Sequence, residues 1–312
     1  MDTHIYSDKL IATIRSNLNT SSHKFITYPK FVFLCGKAFT NKPEYNLTNR
    51  GIVDKYLTTK SEDVFIVLSE KLWEDSFKSN IDLLTFEEFL AEVSDSIILF
   101  VESPGSFCEL GAFSYAEKLF SDKLIIVIDE KYKGNKSFII TGPTAKAQKS
   151  GAQVIYAPLD GTGLLSCFDL RKTLDTALNE FSSKSSSINK RKSNTLENQI
   201  QINSFIIELL ELIKLLQPIK RKDLLNIYKK VKDFESFTFV KKNGEEFHNE
   251  IKYDYIIKLL ETVEIIKLTG DIISTEHHDK TQSLMLDFSQ KAENQERNKL
   301  LSRMYRYKGN VK

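Results

Sequence analysis

The stretch at residues 95–111, D-S-I-I-L-F-V-E-S-P-G-S-F-C-E-L-G, constrains the fold more than any other part of the chain. Within it Ser96–Val101 is a short, continuous apolar run rich in β-branched residues, the pattern of a strand buried on both faces. Glu102-Ser103-Pro104-Gly105 then breaks the run, Ser106 fits a helix N-cap, and Leu110, Phe113, Ala116 and Phe120 recur near helical spacing. A strand, a small polar loop and a helix N-terminus make up the part of an α/β sheet where ligands are usually held. Glu109 is then expected in the first helical turn, beside free backbone N–H groups and facing a crevice. Ser106-x-x-Glu109 also fits a capping box, in which the two side chains satisfy each other's backbone donors. A capping glutamate needs neither a glycine-containing loop before it nor Gly111 after it, so these neighbours favour a site.

Other short apolar runs, at residues 31–35, 64–68, 124–128 and 152–156, alternate with helical patterns at 6–18, 47–57, 83–93 and 164–181. That order predicts an α/β domain over residues 1–181, a doubly wound parallel five-stranded sheet with helices on both faces. The run at 31–35 ends in Gly36-Lys37, a turn where backbone can approach a ligand closely. Residues 182–195 are serine-rich and basic, with almost nothing to bury, and predict a linker containing Lys190, Arg191 and Lys192. The following region, 196–290, is mainly helical. Patterns at 200–216, 221–231 and 253–263 precede a hairpin candidate at 265–275, the outline of a winged helix. Residues 234–244 interrupt it as a separate strand or loop. A basic tail, 291–312, carries Arg303, Arg306 and Lys308 with Tyr305 and Tyr307 interleaved, which suits phosphate contact and base stacking.

A formal charge of +2 over 312 residues does not by itself imply a nucleic-acid partner, so that expectation rests on the linker and tail. Cys35, Cys108 and Cys167 are odd in number and widely spaced, which points to a reducing compartment, and Cys108 reads as a small buried thiol. No cysteine–histidine cluster has metal spacing, His277-His278 being an isolated pair, so neither a metal nor a bound cofactor is expected. No apolar run reaches membrane-spanning length and no secretory pattern opens the chain, so a cytoplasmic location is expected.

A carboxylate at Glu109, set against the anomeric carbon of a ribosyl group, could stabilise or capture the oxocarbenium-like centre that forms as an N-glycosidic bond breaks. Nicotinamide leaves its cationic linkage as a neutral molecule without a proton donor. One carboxylate with no evident acid therefore suits NAD-type substrates. Around it, Gly36, Lys37, Ser103, Gly105 and Ser106 could hold phosphate or ribose hydroxyls. Asp95, just before the strand, reads as a substrate contact or as a strand-start residue. A non-catalytic nucleotide sensor joined to a nucleic-acid-binding module is the alternative.

The order F-L-C-G-K-A-F at 33–39, Asp95 before an apolar strand, and G-S-F-C-E-L-G at 105–111 resembles the nucleoside 2-deoxyribosyltransferase-like superfamily. The resemblance implies a nucleophile at Glu109. With the basic linker and winged-helix-like region, the chain is similar to effectors of retron antiphage systems. That similarity implies a toxin restrained by a reverse transcriptase and its RNA–DNA product (multicopy single-stranded DNA), acting on NAD or a related nucleotide, with homo-oligomers or a larger assembly possible. The acids that usually precede the glycine pattern in the transferases are replaced here by Glu102 and Pro104, which favours hydrolysis over base transfer.

Overall fold

The structure, a computed structural model, describes residues 8–18, 29–39, 41–76, 81–116, 120, 122–161, 163–184, 198–241, 244–247 and 252–275. Its contacts divide the chain into Pro29–Lys184 and a second unit made of Met1–Tyr28 with Ser185–Lys312.

Helix α1 (Asp8–Leu18) belongs to the second unit. In the first, β1 (Lys30–Cys35) leads to α2 (Lys42–Leu47), α3 (Asn49–Lys60) and β2 (Val64–Val67). Next come α4 (Ser69–Ser76), α5 (Leu83–Val93), β3 (Ser96–Val101), α6 (Pro104–Tyr115) and β4 (Leu124–Asp129). Short turns, α7 (Ala145–Lys149), β5 (Gln153–Ala157) and α8 (Phe168–Lys184) complete it. The five strands pair in parallel in the order β2-β1-β3-β4-β5. This is the expected five-stranded α/β sheet.

Alternation along the strands divides the core. Val32, Leu34, Ile98, Phe100, Ile125 and Val127 pack with Val53 and Leu57 of α3 and Leu170 and Leu174 of α8. On the opposite pleat Phe33 meets Phe113 of α6 edge to face at 6.4 Å, and Phe113 meets Phe120 at 5.8 Å. All six residues of β1 and of β3 are buried, which is why both read as unbroken apolar runs.

The helix expected at 47–57 forms as α3, and α2 precedes it at a corner. Thr48 caps α3, its side chain accepting from Gly51 N at 3.0 Å. A Cβ on Gly51 would lie 2.0 Å from Tyr45 O, so the corner closes only around glycine. Helix α4 was not anticipated, because its S-E-K-L-W-E-D-S offers little to bury.

The second unit contains β6 (Gln199–Gln201), α9 (Ile202–Leu216), β7 (Ile219–Lys220), α10 (Arg221–Lys232), β8 (Thr238–Val240), α11 (Tyr253–Thr262), β9 (Lys267–Thr269) and β10 (Ile272–Ser274). The antiparallel hairpin β9–β10 forms as expected, and β7 adds to it in the order β7-β10-β9. The interruption at 234–244 supplies β8, which pairs in parallel with β6. The sequence reading joins the N-terminal helix to the α/β domain; the structure differs. With Leu10, Ile11 and Ile14 buried, α1 packs on α10. Arg15 donates to Lys230 O at 2.6 Å and pairs with Asp233 at 3.2 Å, a cation at the negative end of a helix.

Candidate active site

The strand order fixes where a ligand can enter. The chain leaves β1 towards β2 on one side, then returns across the sheet to β3 on the other. The loops after β1 and β3 therefore diverge, leaving a crevice at their carboxyl ends. Gly36, Lys37 and the 102–109 segment all lie there.

Ser103, with φ −143° and ψ 161°, is the N-cap of α6, and Pro104 occupies the first helical position. Ser103 Oγ accepts from Ser106 N at 3.3 Å, while Ser106 Oγ accepts from Ser103 N at 2.8 Å and Glu102 N at 2.9 Å. Ser106 is thus the third helical residue rather than the cap. The capping box is Ser103–Ser106, with serine standing where glutamate is usual. Glu109 lies in the second turn rather than the first, and the helix does not need it as a cap.

This geometry reassigns several expected substrate contacts. Ser106 is fully buried and its hydroxyl is spent on the cap, as is that of Ser103. Asp95 lies at the amino end of β3, opposite the crevice. It accepts from Phe31 N at 3.0 Å, and its own N–H donates to Phe31 O at 2.8 Å, so it ties β1 to β3. Gly36 has φ +155°, and a Cβ there would sit 3.1 Å from Glu102 Oε1 and 3.2 Å from Phe100 Cβ. Its smallness therefore serves the contact between β1 and β3. Lys37 is exposed; its N–H donates to Glu102 Oε1 at 3.2 Å. Gly105 is exposed, and Gly111 has open space where a side chain would begin. Lys190, Arg191, Lys192, Arg303, Arg306, Lys308 and the pair His277-His278 lie outside the described residues.

Glu109 is half-buried, and its Oε2 is shut from solvent with no hydrogen-bond partner. Burial, then the nearby Glu87 carboxylate, pushes its pKa up to about 8, with Arg50 pulling the other way. Glu87, on α5 and 7% exposed, is pushed to about 7, again chiefly by burial. Glu87 thus helps to raise Glu109, while Glu87 itself is raised by burial and by Glu70 and lowered by a hydrogen bond from Ser69 and by Arg50. Arg50 of α3, 1% exposed, offers Glu109 and Glu87 no unmatched charge. Its Nη2 donates to Glu70 Oε1 at 2.6 Å and its Nη1 to Glu70 Oε2 at 3.0 Å. It also donates to Leu34 O at 3.4 Å and Lys37 O at 2.5 Å, fixing the loop after β1. Glu102 braces the same loop, accepting from Asn49 Nδ2 at 2.6 Å as well as from Lys37 N.

Cys35 closes the floor of this cluster. Burial and the neighbouring Glu109 and Glu87 raise its pKa well above the ordinary thiol value, so it is an inert neutral thiol. Cys108 is exposed, contrary to the expectation of a buried thiol. One register further along the sheet, a cleft of about 700 Å³ is lined by Asp129, Glu130, Lys131, Pro158 and Asp160. Within it Lys131 pairs with Asp129 at 2.6 Å. Among the described residues no group of three or more metal-ligating side chains converges, and no helix is long and apolar enough to cross a membrane.

The sequence reading missed Glu87, Arg50 and Glu70. Each sits in an ordinary helical stretch, and only the fold brings them to one crevice.

Fold and site together define a doubly wound α/β protein with a partly buried carboxyl pair at its switch point, joined to a helical unit ending in a small antiparallel sheet. A sequence model described as the STM3845 retron effector protein matches residues 46–268, so the chain belongs to that family of retron effectors. Two curated relatives come from Escherichia coli. The retron Ec86 putative ribosyltransferase/DNA-binding protein is 40% identical over 126 residues, 40% of this chain and 39% of the relative. The retron Ec73 putative ribosyltransferase/DNA-binding protein is 39% identical over 143 residues, 42% of this chain and 43% of the relative. The alignments thus span about two fifths of each relative's length.

Proposed function

We propose that the α/β unit is a nucleoside deoxyribosyltransferase-like N-glycoside hydrolase acting on NAD or a related nucleotide, and that it is the toxic arm of a retron defence system. The observation that carries this reading is Glu109, whose buried oxygen lacks a partner at the switch point of the sheet. A relative's name as a ribosyltransferase supports the same chemistry.

In this mechanism the Glu109 carboxylate attacks C1′ of the ribosyl group as the C1′–N bond breaks and its electron pair leaves with the base. Water then attacks C1′ and displaces the ester, giving free ribosyl product and restoring the carboxylate. With a pKa of about 8, Glu109 is mostly neutral at pH 7 in the empty site. A pyridinium ring brought beside it stabilises the ionised form, so a cationic substrate arms its own nucleophile. Glu87 accepts the proton that water loses in the second step.

Glu87 also favours a second reading. A carboxyl with a pKa of about 7 is a competent general acid, so a neutral nucleobase could leave from this site as well. The sequence-based preference for nicotinamide, which rested on the lack of an acid, is weakened accordingly.

The second unit runs helix–strand–helix–strand–helix–hairpin, a winged-helix outline with β8 inserted, which supports nucleic-acid binding, as do the names of both relatives as putative ribosyltransferase/DNA-binding proteins. In the assembled state the effector is held inactive by a reverse transcriptase and its multicopy single-stranded DNA. The deciding experiment follows nicotinamide release from NAD, and base release from nucleosides, by wild type, Glu109→Gln and Glu87→Gln. The proteins are assayed alone and with co-purified retron partners. Glu109→Gln is expected to abolish both activities, and Glu87→Gln to slow NAD cleavage at the hydrolytic step while abolishing loss of neutral bases. Turnover unaffected by Glu109→Gln would sink the mechanism, and nucleotide binding without turnover in the assembled complex would make the unit a sensor.

A further inference from the structure

The second and third helices of the winged-helix-like order carry opposite surfaces. In that architecture the third helix, here α11, is the one expected to enter a groove. Its first turn bears the exposed Asp254, and Glu261 further along is paired with Lys258 at 3.3 Å. The turn of the β9–β10 hairpin bears the exposed Asp271.

Arg221 draws these acids together. Its Nε pairs with Asp271 at 2.9 Å, its Nη1 lies 3.7 Å from Asp254, and its N–H donates to Asp271 O at 3.0 Å. Tyr253 donates to Arg221 O at 3.2 Å, closing the start of α11 onto the same residue. The helix start presents Asp254 beside the exposed N-cap Lys252, the hairpin turn presents Asp271, and the cation that matches both acids, Arg221, is already engaged.

Helix α10 is built the other way. Leu224, Ile227, Tyr228 and Val231 are buried, and the opposite stripe reads Lys222, Asn226, Lys229 and Lys230. Steps of four and three residues keep these on one face over roughly 12 Å of helix. Lys222 and Lys230 are exposed and form no ion pair among the described residues; Lys229 donates to Glu235 O at 3.1 Å, which holds its ammonium at the helix end. The acid at that end, Asp233, is matched by Arg15. A row of cations with a neutral amide among them is complementary to a sugar–phosphate backbone.

We propose that the second unit holds nucleic acid by its backbone through this α10 face, Lys222, Lys229 and Lys230 with Asn226, while α11 stays out of the groove. Binding is then independent of sequence. The inference rests on the nucleic-acid-binding reading of this unit and specifies its surface.

The test uses the full chain and two labelled DNA hairpins of equal length and unrelated sequence, with anisotropy titrations across a salt series. Wild type is expected to bind both within about twofold. Replacing Lys222, Lys229 and Lys230 together by Gln is expected to weaken binding at least tenfold at ~0.15 M salt. The same replacement should flatten the log–log salt slope by about 2 to 3, near 0.9 for each phosphate no longer neutralised. Asp254→Asn with Lys258→Gln on α11 is expected to change neither, and a shared thermal midpoint confirms that each variant is folded. An unchanged slope in the lysine variant, with wild-type binding intact, overturns the α10 surface alone. A sequence preference that the α11 variant abolishes also overturns it, by putting α11 in the groove. No salt-dependent binding by wild type to either hairpin removes the nucleic-acid reading along with it.

Discussion

The two units bury ionisable groups in different ways. In the helical unit Tyr228, fully buried, donates to Glu208 Oε2 at 2.6 Å, and Lys232 donates to Glu208 Oε1 at 2.8 Å. Each oxygen of that carboxylate has its own donor. At the carboxyl end of the parallel sheet, Arg50 and Glu70 form a two-pronged pair with Arg50 Nε left without a partner, and Glu109 beside them keeps a buried oxygen with no donor. An unmet acceptor in a low-dielectric site costs about 1 to 3 kcal/mol. The helical unit shows that this chain can satisfy a buried carboxylate. Glu208 has a donor on each oxygen and Glu109 lacks one on Oε2, and the reading of Glu109 as a reactive group rests on that difference between two carboxylates.

The sharpest way to break that contrast is Glu109→Gln. Hydrolysis should fall by about a thousandfold or more, in line with loss of an essential group, while the thermal midpoint stays level or rises because a buried ionisable group is gone. A lower midpoint would make Glu109 a structural residue like Glu208. Arg50→Met should cost about 3 kcal/mol in urea denaturation, since it strands Glu70 and frees two carbonyls. Tyr228→Phe should cost about 2 kcal/mol, the value of a hydrogen bond to a charged acceptor, and leave glycosidic cleavage unchanged. Gly36→Ala should cost about 1 to 2 kcal/mol, through its positive φ and the crowding of Glu102.

The last test is pH dependence. Glu109 and Glu87 have folded pKa values near 8 and 7, above the ordinary carboxyl range they recover on unfolding. The folded state therefore binds more protons than the unfolded state between about pH 4.5 and 8, and stability falls as pH rises through that window. The slope is bounded at about 1.4 kcal/mol per pH unit for each of the two protons and should flatten in the Glu109→Gln/Glu87→Gln double variant. If ionised Glu109 is the nucleophile, kcat/KM should climb over the same interval. A rate that is flat from pH 5 to 8 would argue that Glu109 does not titrate in the free enzyme.

Much of the scaffold was legible because its strands are buried on both faces, and an unbroken apolar run such as Ser96–Val101 admits few other readings. Glu109 stands out in the sequence because glycine flanks it without any local need for glycine. Its turn was misplaced by three residues, since Ser106 looks like an N-cap until Ser103 and Pro104 are seen to begin the helix. Glu87 was illegible for a different reason. It follows Phe86 in F-E-E-F-L, where one face of an amphipathic helix is expected to meet water. Instead Phe86, Phe89, Leu90, Ala91 and Val93 are all buried on α5, and Glu87 goes in with them. Arg50 gave no signal either, because its partners are 13 to 20 residues away and meet it only at the sheet's edge.

Arg50 has a mechanical consequence. One guanidinium is bolted to the carbonyls of Leu34 and Lys37 and to the side chain of a separate helix, α4. Any pull on α4 is therefore delivered to the rim of the crevice without having to pass through the packed interior. A restraining protein would not have to plug the opening to silence it; gripping that outlying helix and shifting its glutamate would be enough.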